Sequence, residues 1–220
     1  MSSAINPITD QVLLVAHRLK EIKLLLCREW LTLFLCLSST SADNLEAISI
    51  IIALSSLAND GPLLTSGMTM FTNAKRLRRV AFTMVRVLSS NERNRQHLQP
   101  VSLPMALSPG VHLPWAQLTH ISIGAPIPQK EYHNILLQCV SLISCTVSPS
   151  ETAQAPIPPA IRMNTVSSLA VRISSTSSNV VPFLCPLVLP RLASIALVSP
   201  KSGIPWPHAG FSSSIGLVVA

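Results

Sequence analysis

Between Phe71 and Ser90 the chain reads FTNAKRLRRVAFTMVRVLSS, the segment in which charge and apolar periodicity point to the same element. Ala74, Leu77, Ala81, Met84 and Leu88 recur at three- and four-residue steps with Val80 and Val87 beside them, which is one face of an α-helix. Arg76, Arg79, Thr83 and Arg86 fall on the opposite face. The spacing predicts a basic amphipathic helix over 71–90, able to lie on an anionic membrane surface, a phosphate backbone or the protein's own core. Lys75, Arg76, Arg78, Arg79 and Arg86, with Arg93 and Arg95 in the polar stretch that follows, are the candidate contacts for anionic lipid or nucleic acid.

The same reasoning extends toward the N-terminus. Val12, Val15, Leu19, Ile22, Leu26, Leu33 and Leu37 keep helical spacing behind Thr9 and Asp10, either of which can cap the first free amides. Asp43 and Glu46 have the spacing of a capping box ahead of the apolar run AISIIIALSSLA, and Asn59-Asp-Gly-Pro62 supplies a stop. These signals predict a mainly α N-terminal part, residues 1–90, with about three helices between residues 10 and 90 packed as a small antiparallel bundle.

Beyond residue 90 the character changes. Pro104, Pro109, Pro114, Pro126 and Pro128 come too often for a long helix, so 91–131 is expected to be an irregular Pro-rich connection. Residues 132–147 form a short apolar element, helix or buried strand, between which periodicity does not choose. Residues 148–179, rich in Ser, Thr and Pro, read as a linker, and 180–220 as an apolar tail interrupted by proline. The C-terminal part is therefore expected to be irregular or disordered, and no internal repeat of fixed period is evident. Within it, 180–198 is long enough to be considered for a membrane span, although Pro182, Pro186, Pro190 and Arg191 oppose that reading. The N-terminus carries no signal-peptide pattern.

Composition narrows function. Hydrophobic residues make up 48% of the chain and charged residues 11%, so much of any surface must be built from Ser, Thr and apolar groups, which suits a chain that places apolar surface against lipid or a partner. The net charge of +7 favours anionic neighbours without defining a site.

Chemistry-bearing patterns are sparse. Cys27, Cys36, Cys139, Cys145 and Cys185 form no C-x-x-C pair, and the six histidines show no metal-ligand spacing. His133 precedes Cys139 by six positions, the one conceivable Cys–His nucleophile pair. No G-x-S-x-G elbow and no phosphate-binding glycine loop occurs. The expectation is a non-enzymatic protein without cofactor or metal that associates with an anionic membrane surface or another protein. Two alternatives accompany it: a basic accessory protein binding nucleic acid without sequence preference, and the product of a dubious, antisense or overlapping reading frame with no evolved role.

Overall fold

The computed structural model describes residues 18–27, 42–55, 71, 74–87, 113–150, 159–173 and 180–198. Seven strands form one sheet: Glu21–Cys27 (β1), Ala47–Ser55 (β2), Arg79–Val87 (β3), His120–Ile127 (β4), Ser144–Pro149 (β5), Ser168–Arg172 (β7) and Ser194–Val198 (β9). Every pairing is parallel, and the strands lie side by side in sequence order, β1-β2-β3-β4-β5-β7-β9. Two short strands, Ile161–Arg162 (β6) and Leu187–Val188 (β8), pair in parallel outside that sheet. Among the described residues there are two α-helices, Gln129–Gln138 (α1) and the four-residue Val181–Leu184 (α2), and a 3-10 turn at Trp115–Gln117.

One short pattern generates each rung. Ala42, Ala74, Trp115, Cys139, Met163 and Leu189 are buried, and three residues after each comes Leu45, Leu77, Leu118, Leu142, Val166 and Leu192, also buried. In five of these six places the N–H of the second residue donates to the carbonyl of the first, closing a tight turn: Leu45 to Ala42, Leu77 to Ala74, Leu118 to Trp115, Leu142 to Cys139 and Leu192 to Leu189. Three residues further on the strand begins to point inward, and there the spacing drops to two because alternate strand side chains share a face. The inward rows are Ile22, Ile48, Val80, Ile121, Cys145, Leu169 and Ile195, then Leu24, Ile50, Phe82, Ile123, Val147, Val171 and Leu197. Stacked in register, these rows, apart from the exposed Ile195 in the last described rung, make a single core into which α1 and α2 add Tyr132, Ile135, Leu136, Phe183 and Leu184.

The rungs are also joined identically. The Lys20 carbonyl accepts the N–H groups of Glu46 and Ala47, the Glu46 carbonyl those of Arg78 and Arg79, and the Arg78 carbonyl those of Thr119 and His120. Thr119, Ile143 and Ser167 then receive the corresponding pair from the next rung in turn. The chain is thus a stack of structural repeats in which each unit satisfies its backbone on its neighbours, the arrangement of a solenoid.

Monotonic strand order has a consequence for the two faces. Parallel crossovers are nearly always right-handed, and when every crossover steps in the same direction a constant hand puts all connections on one face. Buried parallel sheets are usually covered on both sides. Here the outward positions of β3, Arg79, Ala81, Thr83 and Val85, alternate with the buried Val80, Phe82 and Met84, and none of the four is buried.

These findings correct the expected fold class. The helical bundle of residues 10–90 is replaced, wherever that region is described, by β1, β2 and β3. The run after Asp43 and Glu46 is a strand because Ile48, Ile50, Ile51 and Ile52 are β-branched and favour a pleated surface. Where it is described, the basic stretch 71–90 is a turn followed by the strand β3. Its three-residue steps come from the turn and its final two-residue steps from the strand, and together they imitate a helical stripe. The described residues of the C-terminal part are ordered too: β4, β7 and β9 lie in portions expected to be irregular, and the apolar element expected over 132–147 divides into most of α1 and the start of β5. Its prolines sit where they cost little, Pro128 at the N-cap of α1, Pro182 in the first turn of α2 and Pro149 closing β5. The apolar window 180–198 divides into α2, β8 and β9, and no helix among the described residues is long and apolar enough to cross a membrane.

Candidate interaction surface on the open sheet face

The outward rows follow from the register. At the strand starts stand Glu21, Ala47, Arg79, His120, Ser144, Ser168 and Ser194, and the next outward row is Lys23, Ser49, Ala81, Ser122, Thr146, Ala170 and Ala196. Small side chains dominate these two rows, of which Ala47 is buried and the others are partly or fully exposed. At one corner Leu25 and Ile51 are register neighbours on β1 and β2 and are 68% and 37% exposed. Apolar side chains left side by side in water on an otherwise packed molecule mark a surface suited to contact.

The electrostatics of this face are one-sided. Lys23 is held by Glu21 at 3.4 Å. Arg79, His120 and Arg172 have no carboxylate within ion-pair distance among the described residues. His120 is engaged through Nδ1 with the Thr119 hydroxyl at 2.9 Å. From β3 to β9 no outward strand position with a described side chain holds an acidic residue.

At Gly124 neighbouring side chains close directly over the backbone of β4. The glycine lies in an irregularity of β4, where pairing with β5 jumps from Ile123–Val147 to Pro126–Ser148 and leaves Gly124 and Ala125 without partners. Such bulges bend a strand and re-aim its neighbours. A Cβ placed on Gly124 would lie 3.1 Å from Thr83 Oγ1, 3.3 Å from Arg172 Nη1 and 3.3 Å from the Phe82 carbonyl oxygen. A hydroxyl from β3 and a guanidinium from β7 therefore converge above β4, from opposite sides. Arg172 reaches this point from two strands away, and the Ser148 hydroxyl donates to its carbonyl at 3.2 Å, fixing the end of β7 against β5.

The residues expected to contact anions are distributed differently from a helical stripe. Lys75 and Arg76 lie exposed in the turn before β3, Arg78 at its rim and Arg79 on the open face. Arg78 folds back, its Nη1 donating to the carbonyls of Lys75 at 3.1 Å and Leu77 at 3.3 Å. The Arg86 side chain and all of Arg93 and Arg95 lie outside the described residues. The structure thus brings Arg79 together with His120, its partner in the β3–β4 register. Arg172 and Gly124 were not among the sequence candidates; the available signal was a glycine standing between inward Ile123 and Ala125 in an apolar strand.

On the inner side, α1 carries Tyr132 and His133, with ring centroids 5.7 Å and 6.4 Å from that of Phe183 in α2. His133 Nε2 donates to the Phe183 carbonyl at 3.3 Å, and burial lowers the imidazole below its ordinary value of 6.5 against the opposing pull of that carbonyl. The sign follows from proton counting. With a lowered folded-state value, the folded chain binds fewer protons than the unfolded one, so stability is lost as pH falls below about 6.5 toward the folded value. Urea midpoints measured from pH 7.5 to 5 are expected to fall more steeply for the wild type than for His133→Gln.

The proposed Cys–His pairing gains no activated thiol. Burial, with the charge of Cys145 adding to it, raises Cys139 to about 12, and burial also raises Cys145 to about 12 despite the Tyr132 hydroxyl beside it. Both are protonated at neutral pH, and a nucleophile requires the thiolate. Tyr132 itself is raised well above its ordinary value, first by burial, and its hydroxyl has no hydrogen-bond partner of good geometry. In brief labelling of the native protein with iodoacetamide, mass mapping is expected to find exposed Cys185 modified well before Cys139 or Cys145. No group of three metal-ligating side chains converges among the described residues.

No protein-family model matches the chain, and neither a curated protein nor a solved structure matches it significantly.

Proposed function

We propose that this protein is a non-catalytic interaction scaffold that binds another protein on the open face of its sheet. The observation that supports this reading is the seven-strand platform with small outward side chains and an exposed apolar corner at Leu25 and Ile51. A stack of short repeats presents a long continuous surface from modest local sequence, and repeat proteins use such surfaces for binding. The described titratable groups favour the same reading, since the buried thiols and imidazole are held neutral.

The test compares two exposed leucine-type side chains on opposite sides of the molecule. Ile51→Glu alters the open face, and Leu137→Glu alters the exposed side of α1, where Leu137 is 62% exposed. Proteins cross-linked to the wild type in source cells are expected to be lost with Ile51→Glu and kept with Leu137→Glu. Equal retention by both variants would refute the reading.

A further inference from the structure

We infer that the two ends of the sheet are a matched pair, and that a second copy of this chain docks its β1 edge in parallel on the β9 edge of the first, continuing the stack from molecule to molecule. Only the edges take part, so the docking is independent of what the open face binds. The backbone supplies the complementarity. At each of the six joints between rungs one carbonyl accepts two N–H groups, the last being Ser167, which receives Ala193 and Ser194. Ala193 holds the acceptor's place in the final described rung, and Lys20 and Glu21 hold the donors' place in the first. Among the described residues, neither the Ala193 carbonyl nor those two N–H groups has a rung to meet. Along a parallel strand alternate residues bond opposite neighbours. Ser194 bonds β7, so Ile195 and Leu197 turn their N–H and carbonyl groups to the open edge, and on β1 Glu21, Lys23 and Leu25 do the same on the side away from β2. In the docked pair Glu21 of the second copy donates to Ala193, and Lys23 and Leu25 donate in turn to Ile195 and Leu197, a seventh joint built like the six within the chain.

The side chains at the two edges agree with this register. Ile195 is 40% exposed, although its counterparts along the inner row, from Ile22 to Leu169, are all buried. Leu24 and Leu26 are only partly buried, whereas Ile50 and Ile52 beside them are fully buried. Both end rungs thus lack cover that a further rung supplies. On the outer side, Ser194 and Glu21 hold the same strand-start place, so Val198 and Leu25, each four residues on, become neighbours, and two exposed apolar side chains cover one another. Sheet edges that must stay single are blunted by charge, proline or a bulge, yet β9 is Ser-Ile-Ala-Leu-Val and contains none of these. The charges that β1 brings, Glu21 and Lys23, pair with each other. A head-to-tail contact of this kind does not close on itself, so the assembly is open-ended. Each copy carries a net charge of +7, so added salt strengthens the association by screening the repulsion between copies.

Sedimentation of the full-length chain over a range of protein and salt concentrations tests this. The wild type is expected to gain mass with concentration past the dimer, and more so in added salt. Two variants each block one edge: Ile195→Lys puts an inward-pointing charge on β9, and Lys23→Pro removes an N–H that β1 turns outward. Each is expected to stay monomeric alone, and their mixture to form a one-to-one dimer, because Ile195→Lys keeps a working β1 and Lys23→Pro a working β9. Leu137→Glu, on the exposed side of α1, should assemble as the wild type does. A wild type that is monomeric at every concentration and salt would overturn the inference, since the edge is then covered from within the chain or by a different protein. Dimers of Lys23→Pro alone would overturn it in favour of β9 pairing with β9. Failure of the two variants to combine, when both keep wild-type circular dichroism, would overturn it as well.

Discussion

Val80→Glu is expected to abolish folding, whereas Ala81→Glu, one residue on, is expected to cost no more than about 1 kcal/mol. Val80 is 3% exposed and stacks between Ile48 and Ile121 in the inner row of the sheet. A carboxylate there has no partner and no water, a penalty of several kcal/mol that exceeds much of the stability of an ordinary domain. Ala81 points outward between Ser49 and Ser122, where a glutamate stays hydrated and close to basic Arg79. A helix over the same residues would put Ala81 at the centre of its apolar stripe with Val80 beside it, so that both variants would be strongly destabilised. Far-ultraviolet circular dichroism and urea unfolding of the two variants decide between these geometries.

The second large effect concerns position along the stack. Leu142→Ala is expected to destabilise by about 3–5 kcal/mol, and Leu192→Ala by about 1–2 kcal/mol. Leu142 is fully buried, with Leu118 and Val166 occupying the equivalent place in the rungs on either side. Leu192 holds that place in the last described rung, whose Ile195 and Val198 are 40% and 46% exposed. In a repeat stack each unit is stabilised by its neighbours, so truncation in the middle opens a cavity between two packed rungs, whereas near the end the surroundings can relax. Equal losses at both sites, measured by urea unfolding, would mean that the terminal rung is covered as well as the central one.

What could be read from the sequence depended on which residues were ambiguous. Exposure of Lys75, Arg76, Arg78 and Arg79 was legible because a cluster of cations has nowhere to go but water. The burial of Ala74, Leu77, Val80 and Met84 was legible as well. Their secondary structure was not, since spacings of three, three and four are helical ones over so short a stretch. The deciding signal was Val80, Phe82, Thr83, Val85 and Val87, a β-branched and aromatic run that weighs toward strand. Asp43 and Glu46 imitated a capping box because the turn before β2 places both beside buried Leu45.

The repeat escaped notice for two reasons. Its steps are unequal, from Ala42 to Ala74, then to Trp115, then to Cys139, because the connections between rungs differ in length while the spacing from turn to first inward strand residue does not. Its first core position also accepts Ala, Trp, Cys, Met or Leu, so identity carries little of the signal and burial carries most. The contact of Thr83 and Arg172 over Gly124 was hidden differently. Thr83, Gly124 and Arg172 are far apart in sequence and meet only because parallel strands in sequence order bring β3, β4 and β7 within three places of one another.

The most direct test of the in-register stack is a distance across it. Spin labels attached to p-acetylphenylalanine at positions 49 and 170 replace outward Ser49 and Ala170, which are linked through Ala81, Ser122 and Thr146 by four successive register pairs. Neighbouring strands lie about 4.8 Å apart, so electron–electron double resonance should give one population centred near about 20 Å, broadened by the label tethers. A distribution centred beyond about 35 Å, or one with no defined maximum, would contradict the parallel stack and with it the open face on which the proposed function rests.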